Sequence, residues 1–441
     1  MLLVVPFSLV TVYGFLVRRD YLLAVLLVGH PILKLMLNPF GTRDNPVFLV
    51  VYFAIGFYCL GIVRLHNRKA VFMGKLTTKV SLSYFVFLAW LATTLLYTPA
   101  RAYGVTKMLN FFASTLPMLL VLVLFMDSAE SVKQSMRAIG NVALLVGVGT
   151  LIAVFVHTGS VLVRLGTSAA QDVRLFGINF AVSIWFGRRM GIGFLAMLGL
   201  TLVEPSLVNR VKLTALFVLT ILSVSRGPII SLFATIVVLL VLGNRQSSGR
   251  PLFRSLLILG VSAFVMIGFV GTETSFTRLL TFHDRNVLGR MAMFEASLNL
   301  IKENMLGYGV GSFSVLSNLG LYPHNIFLEV FVELGLVGAF LLISPLTRGI
   351  IDGLKLTRQR FAPGLGVRIF GAGVLLFAIL NAQFSGDIAS NEYVWFGMML
   401  VARIKELMVA PDMKLGNQHF PDIKRHQLKT ALGTGETILA D

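Results

Sequence analysis

Residues 321–338 read LYPHNIFLEVFVELGLVG and open an apolar run that continues to about residue 348. Hydropathy over that length marks a membrane helix. The mouth of the run holds two polar side chains. Pro323 suits a first helical turn, where no amide hydrogen bond is lost, and this places His324 and Asn325 at the helix N-terminus. The positive end of the helix dipole favours a neutral imidazole, and a neutral histidine in contact with water is a competent base for a hydroxyl. The plainer role is an interfacial ring hydrogen-bonded to a headgroup. Further along, Gly335 and Gly338 offer a flat face for close helix packing.

The same apolar pattern recurs through the chain. Of 441 residues, 56% are hydrophobic and 13% charged, with a mean hydropathy of +0.83. Soluble domains carry roughly 25% charged residues. The runs predict about thirteen crossings, within a range of about 12–14. They fall near 2–17, 21–38, 46–64, 80–98, 108–126, 138–157, 190–204, 212–224, 227–243, 254–271, 324–348, 366–383 and 391–408. The fold class is an all-α polytopic membrane protein without a soluble catalytic domain. Cys59 is the single cysteine, so neither an internal disulfide nor a cysteine metal cluster is expected. Arg18, Arg19 and Asp20 follow the first run without a small-residue cleavage site, so no cleavable signal peptide is expected.

The net charge of +18 points to membrane topology rather than to nucleic acid. The basic stretches at 66–75 and 244–250, and the segment with Lys355, Arg358, Arg360 and Arg368, are expected in the cytoplasm. That leaves 157–189 and the long segment 272–323 outside, both arginine-bearing where the rule predicts few. The expected organisation is an N-terminal helical part (1–157), a central membrane domain (158–348) including the outer loop 272–323, C-terminal helices (349–409) and a disordered cytoplasmic tail (410–441).

Three constellations carry possible chemistry. SVSRGPII (223–230) sets Arg226 between two apolar runs, with Gly227 and Pro228 opening the next helix. An unpaired guanidinium in hydrocarbon is costly. Arg226 is therefore either seated on a phosphate beside free helix-start amides or snorkelling to headgroups. GRMAMFEASLNLIKENMLGYG (289–309) reads as an amphipathic surface helix starting at Arg290, its stripe of Met291, Phe294, Leu298 and Ile301 taken as plain packing. A cation there opposes the helix dipole, a conflict that marks either a solvated end or a functional position. GYGVGSF (307–313) has weak phosphate-loop spacing but no following Lys-Ser/Thr, and reads as a flexible turn. Asp284, Glu295, Glu303 and Asp387 stand singly and are expected to pair with nearby arginines; no clustered metal ligands are visible.

These motifs together carry a resemblance. His324-Asn325 followed after nine residues by Gly335 and then Gly338 resembles the motif of the bacterial O-antigen ligase and Wzy-type polymerase superfamily. The segment 289–313 and the SRG junction resemble the segments that precede that motif, and SIWFGRRMG (183–191) resembles them more loosely. The resemblance implies a GT-C-like, metal-independent, inverting glycosyltransferase of the bacterial inner membrane with a periplasmic active site and no cofactor. The implied donor is a glycan on undecaprenyl diphosphate. The implied acceptor is a sugar hydroxyl, on a lipid-linked repeat (a polymerase of O-antigen or exopolysaccharide, the favoured reading) or on lipid A–core (a ligase). Membrane lipids and a chain-length regulator are the other implied partners. Arg226 and Arg290 match the arginines that engage the diphosphate, and His324 the residue that activates the acceptor. Arg188, Arg189, Arg174, Arg285 and Asn325 are further candidates for donor binding. A transporter or flippase, with the arginines as an anion path, is the reading from another class. The placing of charge at one face, with Lys34 as the main exception, argues against it.

Overall fold

The computed structural model describes residues 19–29, 79–158, 174–175, 178–179, 183–223, 225–243, 285–358 and 364–416. In chain order the helices are α1 (Arg19–Ala24), prolonged by a π-helical turn over Val25–Gly29, α2 (Lys79–Thr94), α3 (Arg101–Phe125) and α4 (Ala129–Thr158). A two-residue antiparallel ladder follows, β1 (Arg174–Leu175) on β2 (Ile178–Asn179), with Arg174 opposite Asn179. Then come α5 (Ser183–Val203), α6 (Leu207–Leu222), α7 (Arg226–Gly243), α8 (Arg285–Glu303), the single turn α9 (Phe313–Leu316), α10 (Ile326–Arg358), α11 (Leu365–Asn381) and α12 (Glu392–Gly416).

Among the described residues, α3, α4, α5 and α10 are long and apolar enough to cross a membrane. Shorter apolar helices cover 20–29, 80–94, 226–241 and 365–381. The chain is an all-α polytopic membrane protein, as its hydropathy predicts. The expected spans at 2–17, 46–64 and 254–271, the basic loops at 66–75 and 244–250, Lys34 and Cys59 lie outside the described residues. α12 runs on to Gly416, past the expected boundary of the tail at 410.

α5 is the axis of the bundle, with 89% of its membrane-length window buried. It packs against α4, α6 and α11. Small residues allow this closeness. A Cβ on Gly366 of α11 would stand 2.0 Å from the carbonyl oxygen of Gly199 in α5. A second packing centre joins α2, α3 and α12 through Tyr84, Phe87, Phe111 and Trp395, with ring centroids 5.2–6.2 Å apart.

α5 starts at Ser183, well before the expected 190, so Arg188 and Arg189 belong to a buried helix and not to an outer loop. Hydropathy counts each arginine against a span, whereas here local partners offset the cost of burial.

α10 is broken. Gly335 has φ 65° and ψ −164°, a conformation open in practice only to glycine. Four of the backbone groups at the break have partners, as a membrane interior favours. Tyr308 N donates to Val332 O at 3.0 Å and Gly309 N to Glu333 O at 2.8 Å. Trp90 Nε1 donates to Leu334 O at 3.0 Å. Leu336 N donates to Met305 O at 3.0 Å. The expected packing face at Gly335 is therefore a helix break, and Gly338 lies under the Leu334 side chain of its own helix. The GYGVGSF segment is not a flexible turn. It is wedged between the break and the α2–α3 corner, where Thr98 Oγ1 donates to Val310 O at 2.8 Å and Val310 N to Thr94 Oγ1 at 3.2 Å.

Candidate functional site

Four chain segments converge at one end of α10. The first is the SRG junction. α6 closes at Leu222, Ser225 N donates to Ser223 Oγ at 3.3 Å, and α7 begins at a half-buried Arg226. The junction lies tight on α5, since a Cβ on Gly187 would stand 2.7 Å from Ser223 Oγ and 2.9 Å from Pro228 Cβ. It also meets the loop after α11, where a Cβ on Gly227 would stand 3.1 Å from Phe384 Cβ.

The second segment is the turn into α10. The helix starts at Ile326, so Pro323 and His324 precede it rather than occupying its first turn. Asn325 is the cap: its Oδ1 accepts from Phe327 N at 3.0 Å and Leu328 N at 3.1 Å. Its Nδ2 donates to Gln383 Oε1 at 3.0 Å, and Ile326 N donates to Ala382 O at 3.0 Å. The Asn325 side chain is thus committed to the helix end and to the loop after α11. His324 adopts φ 58°, a left-handed conformation uncommon for a residue with a Cβ. Its ring stands edge-on to Tyr322, centroids 4.6 Å apart at 65°. Nδ1 is enclosed and has no hydrogen-bond partner among the described residues. Burial lowers the His324 pKa from the usual imidazole value; the nearby Arg290 charge lowers it further, Asp387 opposes, and Arg188 adds to the lowering.

The third segment is α8. Its inner face carries Arg290, Met293, Ser297 and Leu300, at helical spacing. Partial burial, then the charge of Arg226, lowers the Arg290 pKa, and Tyr322 acts in the other direction. Arg226, Arg290, Tyr322 and His324 therefore share one electrostatic neighbourhood. The stripe expected to be plain packing is not packed: Met291, Phe294 and Leu298 are exposed at 64, 50 and 38%. The apolar stripe of this amphipathic helix faces away from the protein, as a surface helix on a bilayer requires.

The fourth segment is the loop 382–391. Arg188 enters it from α5, donating from Nη2 to Ser385 O and, at 3.4 Å, to Asn381 O, and from Nη1 to Ser390 O at 3.3 Å. Arg189 lies near Tyr393, and the Trp185 ring lies 5.5 and 5.6 Å from the Arg188 and Arg189 guanidinium carbons. Both arginines are almost wholly buried, at 1 and 4% exposure. In the structure Arg188 ties a loop together from beneath. Arg285 is the first residue of α8 and Arg174 lies in β1; their side chains lie outside the described residues, as do Arg278 and His283.

Sequence reasoning missed an ion cluster beneath this end. Lys107 of α3 donates to both carboxylate oxygens of Glu333, at 2.8 and 2.7 Å, and contacts Glu329. All three side chains are essentially without solvent exposure. The signal was in the opening stretch, where Glu329 and Glu333 stand four residues apart on one face of an apolar helix. The premise that buried charge is confined to one face needs correction accordingly. The pairing expected for isolated carboxylates also differs. Among the described residues, Asp387 accepts from Ser390 N at 2.8 Å, and Glu303 from Tyr308 Oη at 3.3 Å, rather than from arginines; Asp284 lies outside the described residues. Among the described residues, no three His, Cys, Asp or Glu side chains gather as a set of metal ligands.

A broken-helix membrane bundle with a cationic, histidine-bearing end defines the class. Residues 211–343 match the family model described as O-antigen ligase. That match supports a likeness of this segment to the O-antigen ligase and polymerase superfamily. The matched segment holds Arg226, Arg290, His324 and both glutamates; Lys107, Arg188 and the loop 382–391 lie outside it. No curated protein matches the chain.

Proposed function

We propose that the protein transfers a glycan from a polyprenyl diphosphate, undecaprenyl diphosphate in a bacterial inner membrane, to a sugar hydroxyl on the periplasmic side. The observation that carries this reading is the placing of Arg226, Arg290 and His324 in one charge-coupled neighbourhood. His324, its pKa lowered, takes the proton of the acceptor hydroxyl. The acceptor oxygen attacks the anomeric carbon from the face opposite the diphosphate, the new C–O bond forms with inversion, and the electron pair of the broken bond goes to the departing phosphate oxygen. Arg226 and Arg290 meet the charge that develops there. Two guanidiniums held close repel each other, so their field is strongest on an incoming dianion. Arg188 contributes as a positioning residue by holding the loop that receives the Asn325 cap. In this mechanism the arginines take the place of a divalent cation.

Polymerisation of lipid-linked repeats is the favoured reaction, with ligation to lipid A–core as the alternative. Purified protein incubated with a defined lipid-diphosphate glycan, with and without core acceptor, separates them. A ladder of products marks a polymerase and a single shift of the core a ligase. No product in either arm contradicts the transferase reading.

One observation favours a transporter instead, the Lys107–Glu329–Glu333 cluster inside the bundle. Movement of a lipid-linked glycan across proteoliposomes without new glycosidic bonds would support that reading.

A further inference from the structure

The second half of α10 borders a groove of about 790 Å³ that the reading above does not use. It lies at the opposite end of the helix from His324. Asp352 stands ~25 Å beyond the break at Gly335, at 1.5 Å per residue. Pro345 lines the groove where α10 lacks an amide hydrogen bond, Ser83 contributes from α2 and Lys405 from α12.

Its charge is lopsided. Among the described residues, Arg348, Lys355 and Lys405 line it against one carboxylate, Asp352. Lys405 Nζ lies 2.8 Å from Asp352 Oδ1, and Arg348 Nε 3.9 Å from Oδ2. One cation is offset by the carboxylate, which leaves an excess of two positive charges. Arg348 and Lys405 remain 51 and 42% exposed, with donors free to turn inward. The hydroxyls of Ser83, Ser344 and Thr347 border the same space. Beside it runs an apolar surface: Leu82, Val86, Phe340 and Ile343 are exposed at 59, 43, 69 and 37%. Cations and hydroxyls at the mouth of a cleft between helices, with apolar residues along its flank, complement a phosphodiester attached to acyl chains.

We propose that this groove binds the headgroup of an anionic phospholipid, its phosphate between Arg348 and Lys355 and its acyl chains along the α2–α10 surface. A neutral zwitterionic lipid carries its own cation and leaves the excess charge of the groove unmatched. The site is a specific lipid seat at the end of the bundle remote from the candidate chemistry.

Native mass spectrometry of the full chain released from detergent tests this. Delipidated protein is titrated with phosphatidylglycerol, phosphatidylcholine or glycerol phosphate. Phosphatidylglycerol adducts are expected at least tenfold in excess of phosphatidylcholine adducts at equal concentration. The preference is expected to vanish in Arg348→Ala/Lys355→Ala and to persist in Arg210→Ala, which removes an exposed arginine elsewhere. Equal binding of the two lipids by the wild type overturns the proposal, and this arm needs no variant to fold. Undiminished preference in the double variant, or competition by glycerol phosphate as effective as by the intact lipid, overturns it as well.

Discussion

Gly307 and Gly335 meet backbone against backbone: a Cβ added to Gly307 would stand 2.5 Å from Gly335 N, and one added to Gly335 would stand 2.8 Å from Gly307 N. Both have positive φ, 83° and 65°. This seam fixes where α8 hands the chain back to the broken helix, and so fixes Arg290 relative to His324.

Gly335→Ala should therefore be severely destabilising. The backbone alone costs about 1–3 kcal/mol in this conformation, and the new methyl would also overlap Leu306 O at 2.2 Å. Gly289→Ala is the comparison, because nothing among the described residues lies within 4 Å of a Cβ there. Thermal unfolding in detergent should show a large loss for the first and little change for the second. Similar curves would mean that the seam does not hold the fold.

The buried cluster predicts an asymmetry. Glu333 takes two hydrogen bonds from Lys107, while Glu329 meets Lys107 as an ion pair. Lys107→Ala strands two buried carboxylates and should cost about 3–5 kcal/mol. Glu329→Gln leaves a neutral Lys107–Glu333 pair and should be tolerated, with unfolding at or above the wild-type temperature. Equal destabilisation by both changes would contradict this charge assignment.

His324 supplies a titration test. Its pKa lies below the ordinary imidazole value, so the neutral ring predominates at neutral pH and the base form is lost only as pH falls through that lowered pKa. Arg290 depresses it and Asp387 raises it. Arg290→Gln should therefore move the His324 resonance titration to higher pH, and Asp387→Asn to lower pH. Histidine-selective NMR, assigned with His324→Gln, reads both. Shifts of the same sign would separate His324 from one of these partners.

Hydropathy alone carried the fold class, because burying an apolar helix in lipid is a property of composition. The SRG junction was legible for a local reason: Gly227 and Pro228 after Arg226 mark a helix start. Arg290 and His324 were found through motif order and through their conflict with neighbouring preferences. Three things were not legible. The burial of Arg188 depends on carbonyls about two hundred residues away in sequence. The break at Gly335 depends on a loop that arrives from α8. The Lys107 cluster was overlooked because Lys107 sits just outside the predicted span 108–126, where a cation attracts no notice. Each is a long-range contact, and local pattern does not encode its partner.

The central claim is that Arg226 and Arg290 steady a departing diphosphate without a divalent ion. Its most direct measurement is the single-turnover rate of glycan transfer from a lipid-diphosphate donor by purified wild type, Arg226→Ala and Arg290→Ala, each with EDTA and with Mg²⁺. The account predicts a loss on the order of 10²–10³ in rate for each variant, and a wild-type rate indifferent to EDTA. Wild-type rates in both variants, or activity that EDTA abolishes and Mg²⁺ restores, would contradict it.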